Sequence, residues 1–457
     1  MADKKHLLQM REYFDSGVTR SYQFRKAQLV KLKEIIISNE RAIQDALYTD
    51  LKKSPEESWI TETGFLIAEI NYLLKHLAGW MKPERVGTSL VNLPSKSYVL
   101  TEPLGVVLII GPWNYPLQLL FAPLAGAIAA GNCAVLKPSE FSPATTAVMK
   151  KIIEENFEPH YIQLTEGEGA AVIPEMMNSF VFDHVFYTGS TTVGKIIYQL
   201  AAKDLVPVTL ELGGKSPCIV EEDANITVTA KRICVAKFSN AGQMCVTPDY
   251  VLVHHTKKSA LIIALKATLQ TFFGEDASES NEYGKIINTK QFDRLQQYLG
   301  QGKIVAGGKT DRKKLFIAPT ILDEITTEDS IMKEEIFGPI LPVLSFNSAE
   351  EAKAIIALNK NPLAFYVFTS SGKKEKDWLN DVSFGGGCVN NAAFHLFNHE
   401  QPFGGRGFSG SGKYHGKFSF DTFSHKKSVM KSPTWFDPSI KYPPFKGKLK
   451  LFKWLVK

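Results

Sequence analysis

One cysteine lies where a substrate could reach it. Cys245 falls between a flexible Asn-Ala-Gly and an apolar, β-branched run in the stretch FSNAGQMCVTPDYVLVHHT. A structural cysteine is typically buried inside a strand or helix, whereas a nucleophile belongs on a loop at the end of an element. Attack of a thiol on a carbonyl also needs donors for the oxyanion, typically a side-chain amide and a backbone N–H. Cys245 is therefore a candidate nucleophile for carbonyl chemistry.

Three more polar residues follow strand-like apolar runs. Asn114 lies in GPWNYP after LGVVLII, Glu211 ends VPVTLEL, and Lys137 ends NCAVLK. Singly, these residues could be a turn former, a solvated strand end and a surface lysine. Open α/β sheets, however, bind ligands at the carboxyl ends of their strands, so we expect the three side chains to converge on one crevice.

The elements that must position them alternate along the chain. Residues from about 4 to 80 have helical spacing, and a strand (106–110), a helix (117–130) and a strand (134–137) follow. A second alternating block runs from 216 to about 391. This rhythm predicts an α/β fold with parallel sheets, and 457 residues predict at least two domains.

Composition excludes several classes of protein. A hydrophobic fraction of 44%, a charged fraction of 22% and a net charge of +6 with scattered lysines are not typical of a nucleic-acid-binding protein. Five widely spaced cysteines without a CxxC pair predict neither disulfides nor a metal site, and fit a reducing cytosol. The four other than Cys245 lie in strand-like or helical apolar runs, so we expect them to be buried and inert. The charged N-terminus lacks the apolar region of a signal peptide. The uncharged stretch 103–136 is interrupted by GPWNYP, which favours the buried start of an α/β domain over a membrane span.

Seven segments together resemble one family. PWNYP, LKPSE, YTGS, LELGGKSP, AGQMC, EEIFGP and PFGGRGFSGSG are similar in type and order to motifs of the aldehyde dehydrogenase superfamily, over residues 99 to 425. The short N-terminus and YHGKFSFDTFSH resemble the class 3 branch, which includes fatty and aromatic aldehyde dehydrogenases and bacterial relatives. The resemblance implies two Rossmann-type parallel-sheet domains and a small projecting oligomerisation β-segment. It divides the chain into an NAD-binding domain (1–96 and 105–212), a catalytic domain (213–419), oligomerisation strands (97–104 and 420–430) and a basic-apolar tail (431–457).

The resemblance also implies a mechanism. Cys245 would attack the aldehyde, and the Asn114 amide with the Cys245 backbone N–H would hold the oxyanion. Hydride transfer to the cofactor would leave a thioester, which water activated by Glu211 would hydrolyse to a carboxylic acid. Family members that pass the acyl group to coenzyme A lack this base, so Glu211 favours hydrolysis.

The implied cofactor is NAD, with NADP as a possible alternative. A carboxylate at Glu140 would bind ribose hydroxyls and repel a 2′-phosphate. The implied contacts are Gly189 and Ser190 at the pyrophosphate, Lys137 and Glu140 at the adenosine ribose, and Glu335 and Phe337 at the nicotinamide ribose and ring. Tyr115 and Leu119 should line the aldehyde entrance, whose apolar character predicts aliphatic or aromatic aldehydes.

The expected partners are a small aldehyde and a second copy of the chain. Class 3 relatives imply a homodimer rather than a tetramer. The tail FKGKLKLFKWLVK is too short to span a bilayer but could lie on an anionic surface. We therefore expect a cytoplasmic protein, with peripheral contact at the inner membrane surface as an open alternative.

Three other functions were weighed. A thiol hydrolase or acyltransferase would need a histidine beside the thiol, and only His254 and His255 lie on the following strand. A non-catalytic scaffold leaves the set Asn114, Glu211, Cys245 and Glu335 unexplained. Reduction of an activated acyl group to an aldehyde is disfavoured by Glu211.

Overall fold

The computed structural model describes residues 4–455. Its strands are β1 Glu84–Val86, β2 Lys96–Pro103, β3 Val106–Ile110, β4 Cys133–Lys137, β5 Ile162–Leu164, β6 His184–Gly189, β7 Val208–Leu212, β8 Pro217–Val220, β9 Tyr250–His254, β10 Lys303–Ala306, β11 Thr310–Asp311, β12 Phe316–Ile317, β13 Thr320–Asp323, β14 Ile340–Phe346, β15 Ala364–Phe368, β16 Gly386–Val389, β17 Gly410–Ser411 and β18 Ser424–Lys431. Its α-helices are α1 Lys4–Asp15, α2 Tyr22–Ser38, α3 Glu40–Leu51, α4 Pro55–Ser58, α5 Gly64–Trp80, α6 Gln118–Ala130, α7 Pro143–Asn156, α8 Gly169–Ser179, α9 Thr191–Ala202, α10 Ile226–Phe238, α11 Lys258–Phe273, α12 Thr289–Tyr298, α13 Ala349–Ala357, α14 Gly372–Asp381, α15 Lys417–Thr422 and α16 Leu449–Leu455.

The first sheet has the strand order β17-β7-β6-β3-β4-β5. Strands β7, β6, β3, β4 and β5 are parallel, and β17 pairs antiparallel with β7. Strands β3 and β4 are buried along their whole length, as is every residue of α6, because helices cover the sheet. Residues 410–411, which the sequence placed in the second domain, thus complete the first sheet.

The second sheet has the order β10-β13-β14-β9-β8-β15-β16. All neighbouring pairs are parallel except β10 with β13. The two parallel sheets confirm the predicted α/β fold class. At one edge, β16 pairs only with β15, and its residues are half-buried.

A third, three-stranded sheet has the order β1-β2-β18. Strand β18 pairs antiparallel with β2 over eight residues, from Ser424 opposite Pro103 to Lys431 opposite Lys96. The predicted extended segment 97–104 is therefore correct to within one residue. The predicted strand 420–430 is wrong at its start, because residues 420–422 are the end of α15. The ion pair between Lys417 and Asp421, four residues apart at 2.6 Å, supports this last helical turn.

The N-terminal helices form a cap on the first sheet, and α4 and α5 are joined by one π-helical turn, Trp59–Thr63. Such turns insert one extra residue into a helix and re-aim a side chain. The side chain re-aimed here is Glu62, which is fully buried.

The remaining cysteines correspond in part to the expected buried, inert thiols. Cys133, Cys218 and Cys234 are buried. Cys388 is only half-buried, and its sulfur lies 3.6 Å from His395 Nδ1, so the prediction of full burial is wrong there. Among the described residues, we find no helix with the length and apolarity needed to cross a bilayer.

Candidate active site

The polar residues singled out in the sequence meet between the two large sheets. Asn114 follows β3, Lys137 ends β4 and Gly189 ends β6. Glu211 is the last residue but one of β7. Because these strands are parallel, all four residues lie at the same, carboxyl edge of the sheet. Cys245 comes from the segment that leads into β9 of the second sheet.

The loop that carries Cys245 is held in a strained shape. Asn240 and Ala241 adopt left-handed conformations, with φ of 50° and 51°, which cost free energy in non-glycine residues. The Gln243 side chain donates to the Asn240 carbonyl at 3.0 Å and accepts from the Ile287 N–H at 3.0 Å. The thiol is thus presented by a rigid loop rather than a mobile one.

The thiol itself faces an apolar and anionic surrounding. Burial raises the pKa of Cys245, and the carboxyl groups of Glu335 and Glu211 raise it further. Hydrogen bonds from the backbone N–H groups of Cys245 and Val246 act in the opposite direction. These two donors point at the sulfur, where an oxyanion next to it would also form.

Asn114 is buried and tied to the cysteine loop. Its Nδ2 donates to the Gln243 carbonyl at 2.9 Å, and its own carbonyl accepts from Asn240 Nδ2 at 2.8 Å. An amide nitrogen carries two hydrogens, so one remains for a ligand after the bond to Gln243. The Asn114 amide and the loop that carries Cys245 are therefore positioned together.

A buried ion pair fixes the Asn114 loop from behind. Lys53 Nζ lies 2.7 Å from Glu62 Oε1, and both side chains are fully buried. The same ammonium donates to the Asn114 carbonyl at 3.0 Å and lies 3.8 Å from the centre of the Tyr115 ring. Glu62 Oε2 accepts from the N–H groups of Leu117 and Gln118 at 3.1 and 2.8 Å, where α6 begins.

Glu211 is buried, and neither of its carboxylate oxygens has a hydrogen-bond partner among the described residues. Burial raises its pKa well above the usual value, and Lys413 lowers it only in part. A carboxylate left without partners in a buried position is costly, which indicates that a water or ligand is its intended partner. A raised pKa also suits a base that works near neutral pH.

Glu335 is the second carboxylate in this region with a free oxygen, Oε1. Burial, reinforced by Asp249, raises its pKa to about 8. The loop that carries it is fixed by Lys215, which lies 2.6 Å from Asp249 Oδ2 and donates to the Glu334 carbonyl at 3.0 Å. Gly213 lies directly against the Glu335 carboxylate, and a Cβ at that position would overlap it.

The predicted cofactor residues lie at the same edge. Ser190 caps α9, accepting from the Val193 N–H at 3.4 Å, so the N-terminus of this 12-residue helix points at the crevice. Lys137 is buried, and burial lowers its pKa, while its ammonium lies 3.5 Å from Glu140 Oε2. Phe337 has a φ of 49° and packs edge-on against Trp113, with ring centres 5.3 Å apart.

Residues of this region line two cavities. The larger, about 630 Å³, contains Cys245 and Glu211 and is lined mainly by apolar and aromatic side chains. Tyr115 and Leu119 line it as predicted, but both are buried in its wall rather than exposed at its mouth. The smaller, about 380 Å³, is lined by Gly213, Gly214, Glu335 and Thr191.

The sequence did not predict the residues that hold the loops of the site in position. These are Lys53, Glu62, Asn240, Gln243, Lys215 and Asp249. His254 and His255, the histidines considered for a thiol hydrolase, lie at the end of β9 that is far from Cys245. Their ring centres are 4.5 Å apart. They give no support to a cysteine–histidine pair at this thiol.

Comparison with known proteins agrees with this geometry. The family model described as "Aldehyde dehydrogenase family" matches residues 6–429. The 4,4'-diaponeurosporen-aldehyde dehydrogenase of Staphylococcus aureus is 48% identical over 443 residues, which cover 96% of each chain. Aldehyde dehydrogenase family 3 member H1 of Arabidopsis thaliana is 45% identical, covering 98% of this chain and 93% of that protein. The solved structure "Substrate bound state of Staphylococcus Aureus AldH" superposes with a TM-score of 0.97, 47% identity and 99% coverage of both chains.

The chain belongs to the aldehyde dehydrogenase family, and its relatives are of the class 3 type. It is an oxidoreductase that converts aldehydes to carboxylic acids with NAD or NADP.

Proposed function

We propose that Cys245 forms the covalent intermediate of this reaction. The observation that carries the proposal is that the thiol, two backbone donors and two carboxyl groups with partner-free oxygens, Glu211 and Glu335, lie together between the sheets. The sulfur attacks the aldehyde carbon, and the thiol proton passes to water. The oxyanion accepts hydrogen bonds from the Asn114 amide and the Cys245 N–H.

NAD or NADP supplies the hydride acceptor when it is bound. The residues present fit such a group: the partner-free Oε1 of Glu335 suits a ribose hydroxyl, and Gly213 leaves room beside it. The α9 N-terminus beyond Gly189 and Ser190 suits a pyrophosphate. Lys137 and Glu140 would hold the adenosine ribose, and Phe337 would position the nicotinamide.

Glu211 then serves the second half of the reaction. It accepts a proton from a water molecule, which attacks the thioester carbon. Glu211 then gives this proton to the departing thiolate, so that the carboxylic acid and the Cys245 thiol are released. The overall balance is aldehyde, water and oxidised cofactor giving acid, reduced cofactor and one proton. The partner-free carboxylate in an apolar wall supports this role because no protein group competes for the water.

We further propose NAD as the preferred cofactor. The Glu140 carboxylate lies beside Lys137 and accepts from the Gly169 N–H at 3.2 Å, so it is held where a 2′-phosphate would meet it. Catalytic efficiency should be higher with NAD than with NADP, and Glu140→Gln should narrow the difference. A clear preference of the native chain for NADP would contradict the proposal.

The cavity supports long or aromatic apolar aldehydes as substrates. Buried Leu119 and Phe403 line its depth, whereas Ile60 and Phe394, 58% and 51% exposed, line its mouth. Each methylene group of an aldehyde that moves from water into the cavity would strengthen binding by about 0.8 kcal/mol. Catalytic efficiency should therefore rise with aldehyde chain length until the cavity is filled.

The test uses absorbance to monitor the reduction of NAD. The aldehydes range from short aliphatic to long-chain and aromatic. Cys245→Ser, purified in parallel, should give no signal with any of them. Activity that persists in this variant would reject the role of Cys245. A substrate series with no dependence on length would reject the apolar-substrate proposal and leave the mechanism untouched.

We propose a homodimer formed through the open sheet edges. Strand β18 is a long, exposed edge paired only with β2, and β16 is the open edge of the second sheet. Open edges of this kind pair with other chains. Sedimentation equilibrium should give twice the chain mass, and Ser428→Pro in β18 should shift it towards one chain mass. A native mass of one or four chains would contradict the proposal.

The C-terminal tail is proposed to contact an anionic membrane surface. Helix α16 carries Lys450 and Lys453 together with Trp454, which is 70% exposed. A short helix of this composition can lie in the interface between headgroups and acyl chains. Flotation with anionic vesicles should be lost when the chain is truncated after Tyr442. Equal flotation of the two chains would reject the contact.

A further inference from the structure

Three ligand-type side chains converge beside the aldehyde cavity. Glu69 comes from the middle of α5, His399 from the loop before β17, and His415 from the segment before α15. Their nearest donor atoms all lie within 4.8 Å of one another. Glu69 Oε2 is 2.6 Å from His399 Nδ1 and 3.8 Å from His415 Nδ1. Within residues 4–455, these three atoms, Glu69 Oε2, His399 Nδ1 and His415 Nδ1, make no well-aligned hydrogen bond.

Burial and charge make this cluster unusual. Glu69 is fully buried and His415 is 2% exposed, so both are shielded from water. A carboxylate in such a surrounding is costly unless it has a cationic or hydrogen-bonding partner.

The surroundings hold the three side chains in place. The second oxygen of Glu69, Oε1, accepts from the Gly416 N–H at 2.8 Å. Phe65 packs edge-on against both imidazoles, with ring centres 5.7 Å from His399 and 5.4 Å from His415. An outer hydrogen bond to a carboxylate ligand and an apolar shell around it are typical of metal sites in proteins.

The donor set selects a class of ion. Two imidazole nitrogens and one carboxylate oxygen suit Zn²⁺ and similar divalent transition metals. Ca²⁺ and Mg²⁺ prefer oxygen ligands throughout, so they fit this set poorly. Three protein ligands would leave one position of a tetrahedral site for water.

We infer that Glu69, His399 and His415 form a binding site for a divalent transition-metal ion of the Zn²⁺ type. The ion would enter from the side of His399, whose side chain is 16% exposed. Dehydrogenation and thioester hydrolysis use none of the three side chains, so the site is separate from the proposed chemistry. His415 also lines the aldehyde cavity, so a bound ion would lie next to the path of the substrate.

The test measures metal binding directly. Full-length Cys245→Ser protein, used so that the cavity thiol cannot bind the metal, is stripped with a chelator and titrated with Zn²⁺ by calorimetry. Co²⁺ is then added to report the ligands by visible absorption. We expect one ion per chain and the d–d bands of a tetrahedral Co²⁺ site without a thiolate charge-transfer band.

Variants in the same background locate the ion. His399→Ala should weaken Zn²⁺ binding by about 100-fold or more, because losing a ligand costs more than the roughly 10–100-fold typical of an outer-shell partner. Glu69→Gln keeps the side-chain shape and should also weaken it. His76→Ala is the matched control: His76 lies on the same helix and stacks on Trp80 at 5.6 Å, outside the cluster.

Two outcomes would overturn the inference. One is the absence of a Zn²⁺ site in the Cys245→Ser protein, which would make the cluster a plain ion pair with protonated imidazole. The other is unchanged affinity in His399→Ala and Glu69→Gln, which would place the ion elsewhere. Far-UV circular dichroism of each variant establishes that it is folded; His399 is only partly buried, so its replacement leaves the core intact.

Discussion

Buried charges in this protein fall into two groups that differ in one respect. Lys53 with Glu62, and Lys215 with Asp249, are ion pairs in which each partner also bonds to backbone groups. Glu211 is buried and Glu335 half-buried, and both keep carboxylate oxygens with no partner among the described residues. The first group is satisfied by the protein, and the second is not.

The difference indicates what each group does. Each of these ion pairs fixes a loop that carries a proposed functional residue. Lys53 donates to the backbone of the Asn114 loop, and Lys215 donates to the backbone of the Glu335 loop. Such pairs gain little net stability, but removing one partner is costly. The partner-free carboxylates face cavities, where water and cofactor would complete their bonding. Four predictions test this division.

The largest effect should come from Glu211→Gln. The amide cannot accept the proton of the attacking water, so steady-state kcat should fall by about 10²- to 10⁴-fold. Formation of the thioester should persist, because Cys245 is still present and its thiol proton passes to water rather than to Glu211. Rapid mixing should therefore show a burst of reduced cofactor close to one per active site, followed by a slow phase. Loss of the burst and the slow phase together would assign Glu211 to the first half of the reaction instead.

Lys53→Met should have the next largest effect. It leaves Glu62 as an unpaired buried charge, which should lower the free energy of unfolding by about 3–5 kcal/mol. It also removes the donor to the Asn114 carbonyl, so kcat should fall more than the KM for aldehyde rises. Urea denaturation and steady-state kinetics measure the two effects.

The control for this prediction is a surface pair of the same length. Lys150 lies 2.6 Å from Glu166, and the two side chains are 39% and 44% exposed. Lys150→Met should leave the unfolding midpoint near that of the native chain, because water screens such pairs. Equal destabilisation by both variants would contradict the division between the groups.

Gly213→Ala should have a smaller and more selective effect. The added methyl overlaps the Glu335 carboxylate, which must move away. Displacement of a positioning group should raise the KM for NAD by roughly 10- to 100-fold while the protein stays folded. Gly79→Ala, where nothing lies within 4 Å of the new methyl, is the control and should leave the KM for NAD unchanged.

The smallest effect is the dependence of rate on pH. The pKa of Glu211 is raised, so the carboxylate binds a proton as the pH falls through that pKa and can no longer act as a base. On this acid limb, kcat for hydrolysis should fall about tenfold per pH unit. Glu335→Gln should retain the limb, although the Glu335 pKa is also raised, to about 8. A limb that disappears in Glu335→Gln would assign the titration to that residue.

Much of the fold could be predicted from local patterns. The strand at 106–110 matches β3 at both ends, because a β-branched apolar run lies between Gly105 and Gly111. The convergence of Asn114, Lys137 and Glu211 at one sheet edge followed from the predicted parallel sheet together with their places at the strand ends. Their roles in catalysis and cofactor binding remain predictions.

The supporting charges could not be found in this way. Lys53 and Glu62 lie in a lysine- and glutamate-rich helical region, where a charge usually indicates a solvated face. Their burial depends on the Asn114 loop, which follows more than 50 residues later and cannot be paired with them from spacing. The helical residues 420–422 were missed for a related reason, since one short turn gives almost no periodic signal.

The strained cysteine loop and its surroundings have a consequence for the life of the enzyme between turnovers. A thiol whose pKa is raised stays protonated at rest, and peroxide oxidises the thiolate far faster than the thiol. The resting protein should therefore withstand oxidants that inactivate enzymes with ionised cysteines. The burial that raises the pKa of Cys245 should therefore also slow its oxidation in the absence of an aldehyde.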